Sequence, residues 1–159
     1  MSIFISIASY QDPLLVSTIF SAYNNAQNKD ELVFSICDQS DDGIKVKEIA
    51  FCDQIHYEHV DPLFSKGPCW ARHRAQSFYK DEDFFLQVDS HTQFAKDWDS
   101  IFIAQLNKIA SIDSEDGYFK KPIITSYPRS FQVVDFEKGL FELSTGDNHT
   151  QVITYRKDS

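Results

Sequence analysis

Short runs of β-branched and apolar residues alternate with helix-forming stretches along this chain. That alternation restricts the fold more than any other feature. Ile3-Phe4-Ile5-Ser6-Ile7-Ala8 is an apolar run of strand length, which suits a strand buried on both faces. Asp12-Pro13 follows; Asp is a good helix cap and Pro suits a first helical position. Val16, Ile19, Phe20 and Tyr23 then recur at i, i+3, i+4 and i+7, the stripe of an amphipathic helix. Residues 31–37 (Glu-Leu-Val-Phe-Ser-Ile-Cys) read as a second strand, ended by the polar run Asp38-Gln39-Ser40-Asp41-Asp42-Gly43.

Residues 55–60 read as a third strand. Gly67-Pro68 opens a second helix, with Ala71, Ala75 and Phe78 on one face. Phe84-Phe85-Leu86-Gln87-Val88 is a fourth strand that runs into Asp89-Ser90-His91. Asp97 is expected to cap a helix carrying Trp98, Phe102, Leu106 and Ile109. Residues 113–121 form a polar loop, residues 122–126 a fifth strand, and residues 131–136 with 139–143 a hairpin. Strands alternating with helices imply βαβ units, hence an α/β, Rossmann-like fold with a mostly parallel sheet flanked by helices. Ligands of such sheets bind outside the carboxyl ends of the strands. The loops after residues 8, 37, 88 and 126 are therefore the ones to inspect. There is no internal repeat, low-complexity tract or linker, so residues 1–159 read as a single domain.

Charge narrows the partners. The 159 residues hold 15 Lys and Arg against 24 Asp and Glu, a net charge of −9. A nucleic-acid surface needs the opposite balance, so nucleic acid is excluded as a general partner. The arginines are Arg72, Arg74, Arg129 and Arg156. A phosphate ligand would have to rely on a few placed donors or on a metal. The N-terminus has neither a basic n-region nor a small-residue cleavage site, and no apolar run reaches the length of a membrane span. Cys37, Cys52 and Cys69 form no CxxC pair, which argues against a structural zinc or a disulfide framework. A cytoplasmic protein with free thiols is expected. The sequon Asn148-His149-Thr150 is then read as chance.

Asp89 and His91 lie two residues apart at the end of an apolar strand. If the extended backbone persists, both side chains point the same way. They could then share a divalent ion, Mn²⁺ or Mg²⁺, that holds a diphosphate. The plainer reading is a strand-end turn with ordinary polar residues. Arg72 and Arg74 stand at the opening of the second helix, where free N–H groups and the dipole favour anions. Two apart on a helix, they diverge by about 200°, so one is expected to reach a nucleotide and the other solvent or an acid such as Asp81. A surface helix with salt bridges is the alternative. Asp12 and Asp38 follow the first two strands and could accept a hydrogen bond from a base or a ribose, though Asp12 is also a good helix cap. His56 and His59 face opposite sides of a strand, His73 is a helix-surface residue, and Cys69 beside Trp70 reads as packing.

The run Phe85-Leu86-Gln87-Val88-Asp89-Ser90-His91-Thr92-Gln93-Phe94, followed by Trp98-Asp99, resembles the polypeptide N-acetylglucosaminyltransferases, which include cytoplasmic hydroxyproline-modifying enzymes. Ile5-Ser6-Ile7-Ala8-Ser9-Tyr10-Gln11-Asp12, Gly67-Pro68-Cys69-Trp70-Ala71-Arg72 and Thr125-Ser126-Tyr127-Pro128 agree in the same order. Asp-Ser-His also resembles the metal motif of the mucin-type N-acetylgalactosaminyltransferases. The resemblance covers roughly residues 3–130. It implies a GT-A fold, UDP-N-acetylglucosamine as donor, Mn²⁺ (or Mg²⁺) as cofactor, and transfer to a protein hydroxyl with retention. Carried over, Asp89 and His91 would bind the metal. Ser9, Asp12 and Asp38 would lie near uridine, and Arg72 (less so Arg74) near the nucleotide. Catalytic domains of that family are longer, with the acceptor groove and a further metal ligand beyond the last matching segment; His149 is not expected to be that ligand. The chain therefore reads as C-terminally short: a fragment, a shortened relative or a domain taken from a longer protein. A catalytically incomplete nucleotide-sugar-binding module is the alternative function. A metal-dependent phosphohydrolase has the least support, because the histidines are scattered.

Overall fold

The structure, a computed structural model, describes residues 1–111, 122–126, 129–135 and 140–143. The chain divides into two compact units, Met1–Ser100 and Ile101–Ser159. The first holds β1 (Ile3–Tyr10), α1 (Leu15–Asn25), β2 (Leu32–Gln39), β3 (Ile55–Val60), α2 (Pro68–Gln76) and β4 (Phe84–Asp89). Helix α3 (Trp98–Ala110) starts just before the unit boundary. The second unit holds the antiparallel pair β5 (Phe131–Asp135) and β6 (Leu140–Leu143).

The four strands of the first unit form one sheet in the order β3-β2-β1-β4, and every pair is parallel. The central strands carry the continuous apolar runs. Ile3, Phe4, Ile5 and Ile7 of β1 and Leu32, Phe34 and Ile36 of β2 are buried. Burying each such side chain contributes roughly 1.5–3 kcal/mol, so these two strands anchor the unit. Strand β4 alternates half-buried and exposed residues, as an edge strand does.

Several expected boundaries shift, each for a physical reason. Helix α1 begins at Leu15, and Asp12 is not its cap; the capping position is Leu14, without a side-chain hydrogen bond. The α1 face is turned as well. Leu15, Thr18, Ile19 and Ala22 are buried, while Val16 and Phe20, expected inside, are exposed. Thr18 sets that rotation: its hydroxyl donates to the Ser90 carbonyl at 2.7 Å and accepts from the Thr92 N–H at 2.9 Å. An apolar stripe cannot register such a polar anchor. Strand β2 continues through Asp38 and Gln39, which pair with Ser9 and Tyr10 on one side and His59 and Val60 on the other.

Residues 122–126 are not a strand. Pro122 has no N–H for a ladder, and Ile123 is 88 % exposed, so burial does not favour pairing. The expected hairpin is present as β5–β6, with an irregularity between Val133 and Asp135. The polar loop at 113–121 lies outside the described residues, and Tyr127, Pro128, Phe136, Gly139 and the 148–150 sequon with His149 lie outside them too.

Asp97 joins the α3 entrance through its backbone. Its φ is 59° and its N–H donates to the Asn25 carbonyl at 2.7 Å. The next two residues pin the end of α1. Trp98 Nε1 donates to the Ala22 carbonyl at 2.9 Å. The Asp99 carboxylate accepts the N–H groups of Gln27 and Asn28 at 2.8 and 2.9 Å and the Asn28 amide at 3.1 Å. Burial pushes the Asp99 carboxyl up, but these hydrogen bonds outweigh it and hold the group below its ordinary value.

Candidate functional site

In a parallel sheet all carboxyl ends lie along one edge. β2 and β3 flank one side of β1 and β4 the other, so the winding reverses between β1 and β4. Ligands of open α/β sheets bind at such a switch point. Ala8 and Asp89 are in register across that junction, so Asp89-Ser90-His91 leaves the sheet beside Ser9 and Asp12.

Asp89 is the last residue of β4, and a turn begins at Ser90. The extended backbone expected to align Asp89 with His91 does not persist. Thr18 holds the turn from α1, and the Thr92 hydroxyl donates back to the Asp89 carbonyl at 2.9 Å. Asp12 gathers the rest. Its Oδ2 accepts from the Ser90 hydroxyl at 2.7 Å and lies 2.8 Å from His91 Nδ1, while Oδ1 accepts from the Leu14 N–H at 2.9 Å. Burial pushes the Asp12 carboxyl up, yet the Ser90, His91 and Leu14 hydrogen bonds carry it below its ordinary value.

Asp89 is exposed, with Oδ1 3.3 Å from Arg72 Nη2. Among the described residues no group of three or more His, Cys, Asp or Glu gathers into a metal-binding cluster. The donors present still suit a hard divalent ion. One carboxylate and one imidazole suffice where phosphate oxygens and water complete the shell, and a ligating histidine ordinarily gives its other nitrogen to a carboxylate. The Asp12–His91 pair has that form.

A cavity of about 350 Å³ opens at the ends of β1 and β2, lined by Ala8, Ser9, Tyr10, Gln39, Ser65, Gly67 and Pro68. Among the described residues the Ser9 hydroxyl is buried without a hydrogen-bond partner. Strand alternation turns it away from the face of Ala8 and Tyr10, so the roughly 1–3 kcal/mol that an unpartnered buried hydroxyl costs is not relieved from the cavity. Gln39 shapes the wall. Its amide donates to the Ser9 carbonyl at 2.9 Å and accepts from the Ser65 hydroxyl at 2.6 Å. Helix α2 starts at the same cavity, with Gly67 at the capping position (φ 88°) and Pro68 next. Gly67 offers no side chain to the first N–H groups, so they and the positive dipole end remain available to an anion.

The two arginines of α2 part as their spacing requires. Arg72 meets Asp89 at the carboxyl edge. Arg74 pairs with Glu58, its Nε at 3.0 and 2.9 Å from the two oxygens, and lies over the Trp70 ring. Arg74 is thus the arginine that turns to an acid in place of solvent, and the acid is Glu58 of β3, not Asp81. Asp38 is buried within β2 at 2 % exposure and accepts from the Tyr57 hydroxyl at 2.8 Å. Burial, with Asp38 alongside, pushes the Tyr57 phenol up. His56 stacks on Phe78, and His59 Nε2 lies 2.6 Å from the Ser40 carbonyl. Cys69 is exposed, whereas burial pushes the Cys37 thiol up to about 11. Thr18, Gln39, Ser65 and Tyr57 were not singled out by sequence. A polar residue inside the apolar pattern of α1 was the signal that could have found Thr18; Gln39, in a polar run, carried none.

A parallel sheet with a cavity, a helix N-terminus and an arginine at its carboxyl edge is the architecture of nucleotide-binding α/β proteins. A family model described as Glycosyltransferase (GlcNAc) matches residues 40–147, about two thirds of the chain, and the chain belongs to that family. The match takes in Arg72, Arg74, Asp89 and His91; it begins after Ser9, Asp12 and Asp38. No curated protein and no solved structure matches the chain.

Proposed function

We propose that this chain transfers N-acetylglucosamine from UDP-N-acetylglucosamine to a hydroxyl group on a protein acceptor, with retention at the anomeric carbon, through a GT-A site. The family supports the class of sugar. The observation that carries the nucleotide assignment is the cavity between β1, β2 and α2, with the α2 N-terminus opening onto it. In this reading the cavity takes the uridine, with Ser9 among its lining residues. Buried Asp38 keeps Tyr57 and the β2 end in place, so its contribution to uridine is made through the wall. The α2 N-terminus and Arg72 face the diphosphate and stabilise the charge that grows on UDP as it leaves, the kind of preorganised electrostatic support that dominates such reactions. Asp89 and His91 would hold a divalent ion, Mn²⁺ or Mg²⁺, which when bound neutralises diphosphate charge. Arg74, committed to Glu58, contributes to the shape of α2.

Isothermal titration with UDP and Mn²⁺ tests this reading. Wild-type binding is expected, weakened about 10–100-fold by Arg72→Ala, the size of a charge-assisted hydrogen bond. Absence of binding, or binding unaffected by that change, overturns the site. UDP binding without donor hydrolysis or transfer to any hydroxyl would instead mark a catalytically incomplete nucleotide-sugar-binding module.

A further inference from the structure

The carboxylate of Asp12 has an unusual set of partners for a nucleotide contact. It sits between β1 and α1, with its side chain only 16 % exposed. Three protein donors already engage it: the Leu14 N–H at Oδ1, and the Ser90 hydroxyl and His91 Nδ1 at Oδ2. A carboxylate has about four lone-pair positions, so little of it is left to address a ligand. Two of the three donors come from the strand-end motif, 78 and 79 residues along the chain. The Ser90 backbone is fixed separately, through its carbonyl, by Thr18. Among the described residues the imidazole has only Asp12 as its hydrogen-bond partner, and it is itself exposed.

We infer that Asp12 is a positioning residue: it holds His91 as the tautomer protonated on Nδ1, which leaves the lone pair on Nε2 of an exposed ring. Nδ1–H donates to Asp12 Oδ2, because an ionised carboxylate can only accept. Nε2 then carries no proton and can ligate. Ser90 serves the same end by donating to the same oxygen, which stops the carboxylate from rotating away. This inference rests on the reading of His91 as a metal ligand for its purpose, but the tautomer itself does not depend on it.

The test separates the two. The full chain, labelled with ¹⁵N-histidine and free of metal and nucleotide, is examined by long-range ¹H–¹⁵N correlation at about pH 8.5, well above the ordinary imidazole value. In the wild type, His91 is expected to show a protonated Nδ1 and an unprotonated Nε2. Asp12→Ala should lose that preference, and Asp12→Asn, which keeps an acceptor oxygen, should retain most of it. A wild-type His91 protonated mainly on Nε2 overturns the proposal, and so does an unchanged tautomer in Asp12→Ala. The second arm titrates Mn²⁺ alone and reads the paramagnetic broadening of the His91 ring. Asp12→Ala should weaken that response about 10–100-fold, the usual effect of removing a carboxylate behind a ligating histidine. If Mn²⁺ leaves the wild-type ring unbroadened, the metal reading fails while the tautomer result stands. The wild-type spectrum also keeps the test decisive should Asp12→Ala fold poorly.

Discussion

Gly43 shows how one residue ties the acidic loop to β2 and β3. Its φ is 65°, and a Cβ there would come within 2.8 Å of the Tyr57 hydroxyl and 3.0 Å of the His59 ring. That hydroxyl accepts from the Ile44 N–H at 2.7 Å while donating to Asp38. Gly43→Ala therefore strains the backbone and displaces a ring that supports β2 from its buried end. A loss of about 1–3 kcal/mol is expected, measured as a lower urea midpoint at unchanged slope. Gly67 makes a contrasting case. Its φ is 88°, but a Cβ would meet nothing within 4 Å, so only backbone conformation asks for glycine there. The buried Ser6 hydroxyl also has no partner among the described residues, and nothing in the structure explains it.

Elements meet through side chains that bond to backbone. The α3 entrance holds the exit of α1 by Trp98 and Asp99, and α2 is tied to β2 by the Ser35 hydroxyl donating to the Ala75 carbonyl at 2.7 Å. The Asp99 clamp has a pH signature. Its folded carboxyl lies below the ordinary value, so the unfolded chain binds that proton first as pH falls. The stability it contributes is full above the unfolded value of about 4 and disappears as pH drops through the folded value. Urea unfolding at a series of pH values should show Asp99→Asn less stable than wild type at neutral pH. The gap should close on the acid side; a constant gap would show that Asp99 acts without its charge. The element order from β1 to α3 was legible in sequence, since strand and helix periods differ and apolar runs mark the central strands; the strand expected at 122–126 was the exception. The ends were not. Asp38 and Gln39 continue β2 because neighbouring strands pair with them on both sides, and their polarity gave no hint of it.

The whole molecule carries a net charge of −9, and its described helices include none long and apolar enough to cross a membrane. An acidic surface repels a phosphate backbone, so fluorescence polarisation with labelled duplex DNA should stay flat even at about 50 mM salt, where counterion release favours binding most. A single diphosphate is a different ligand, because local groups can outweigh the average charge: Arg72, the α2 N-terminus, and the ion that Asp89 and His91 are proposed to hold. By itself the sequence determined the parallel α/β order, the two apolar strands that become the centre of the sheet, and the positions of the Gly67–Arg72 and Asp89–His91 segments. Those follow from local periodicity and from residue types with strong local preferences. Only the tertiary structure decided that α1 turns Thr18 inward, that Arg74 belongs to Glu58 while Arg72 faces Asp89, that Gln39 and Ser65 meet in the lining of a cavity, and that Asp12 gathers Ser90 and His91. Each depends on which side chains meet across strands and helices far apart in the chain, and a one-dimensional pattern does not encode that distance.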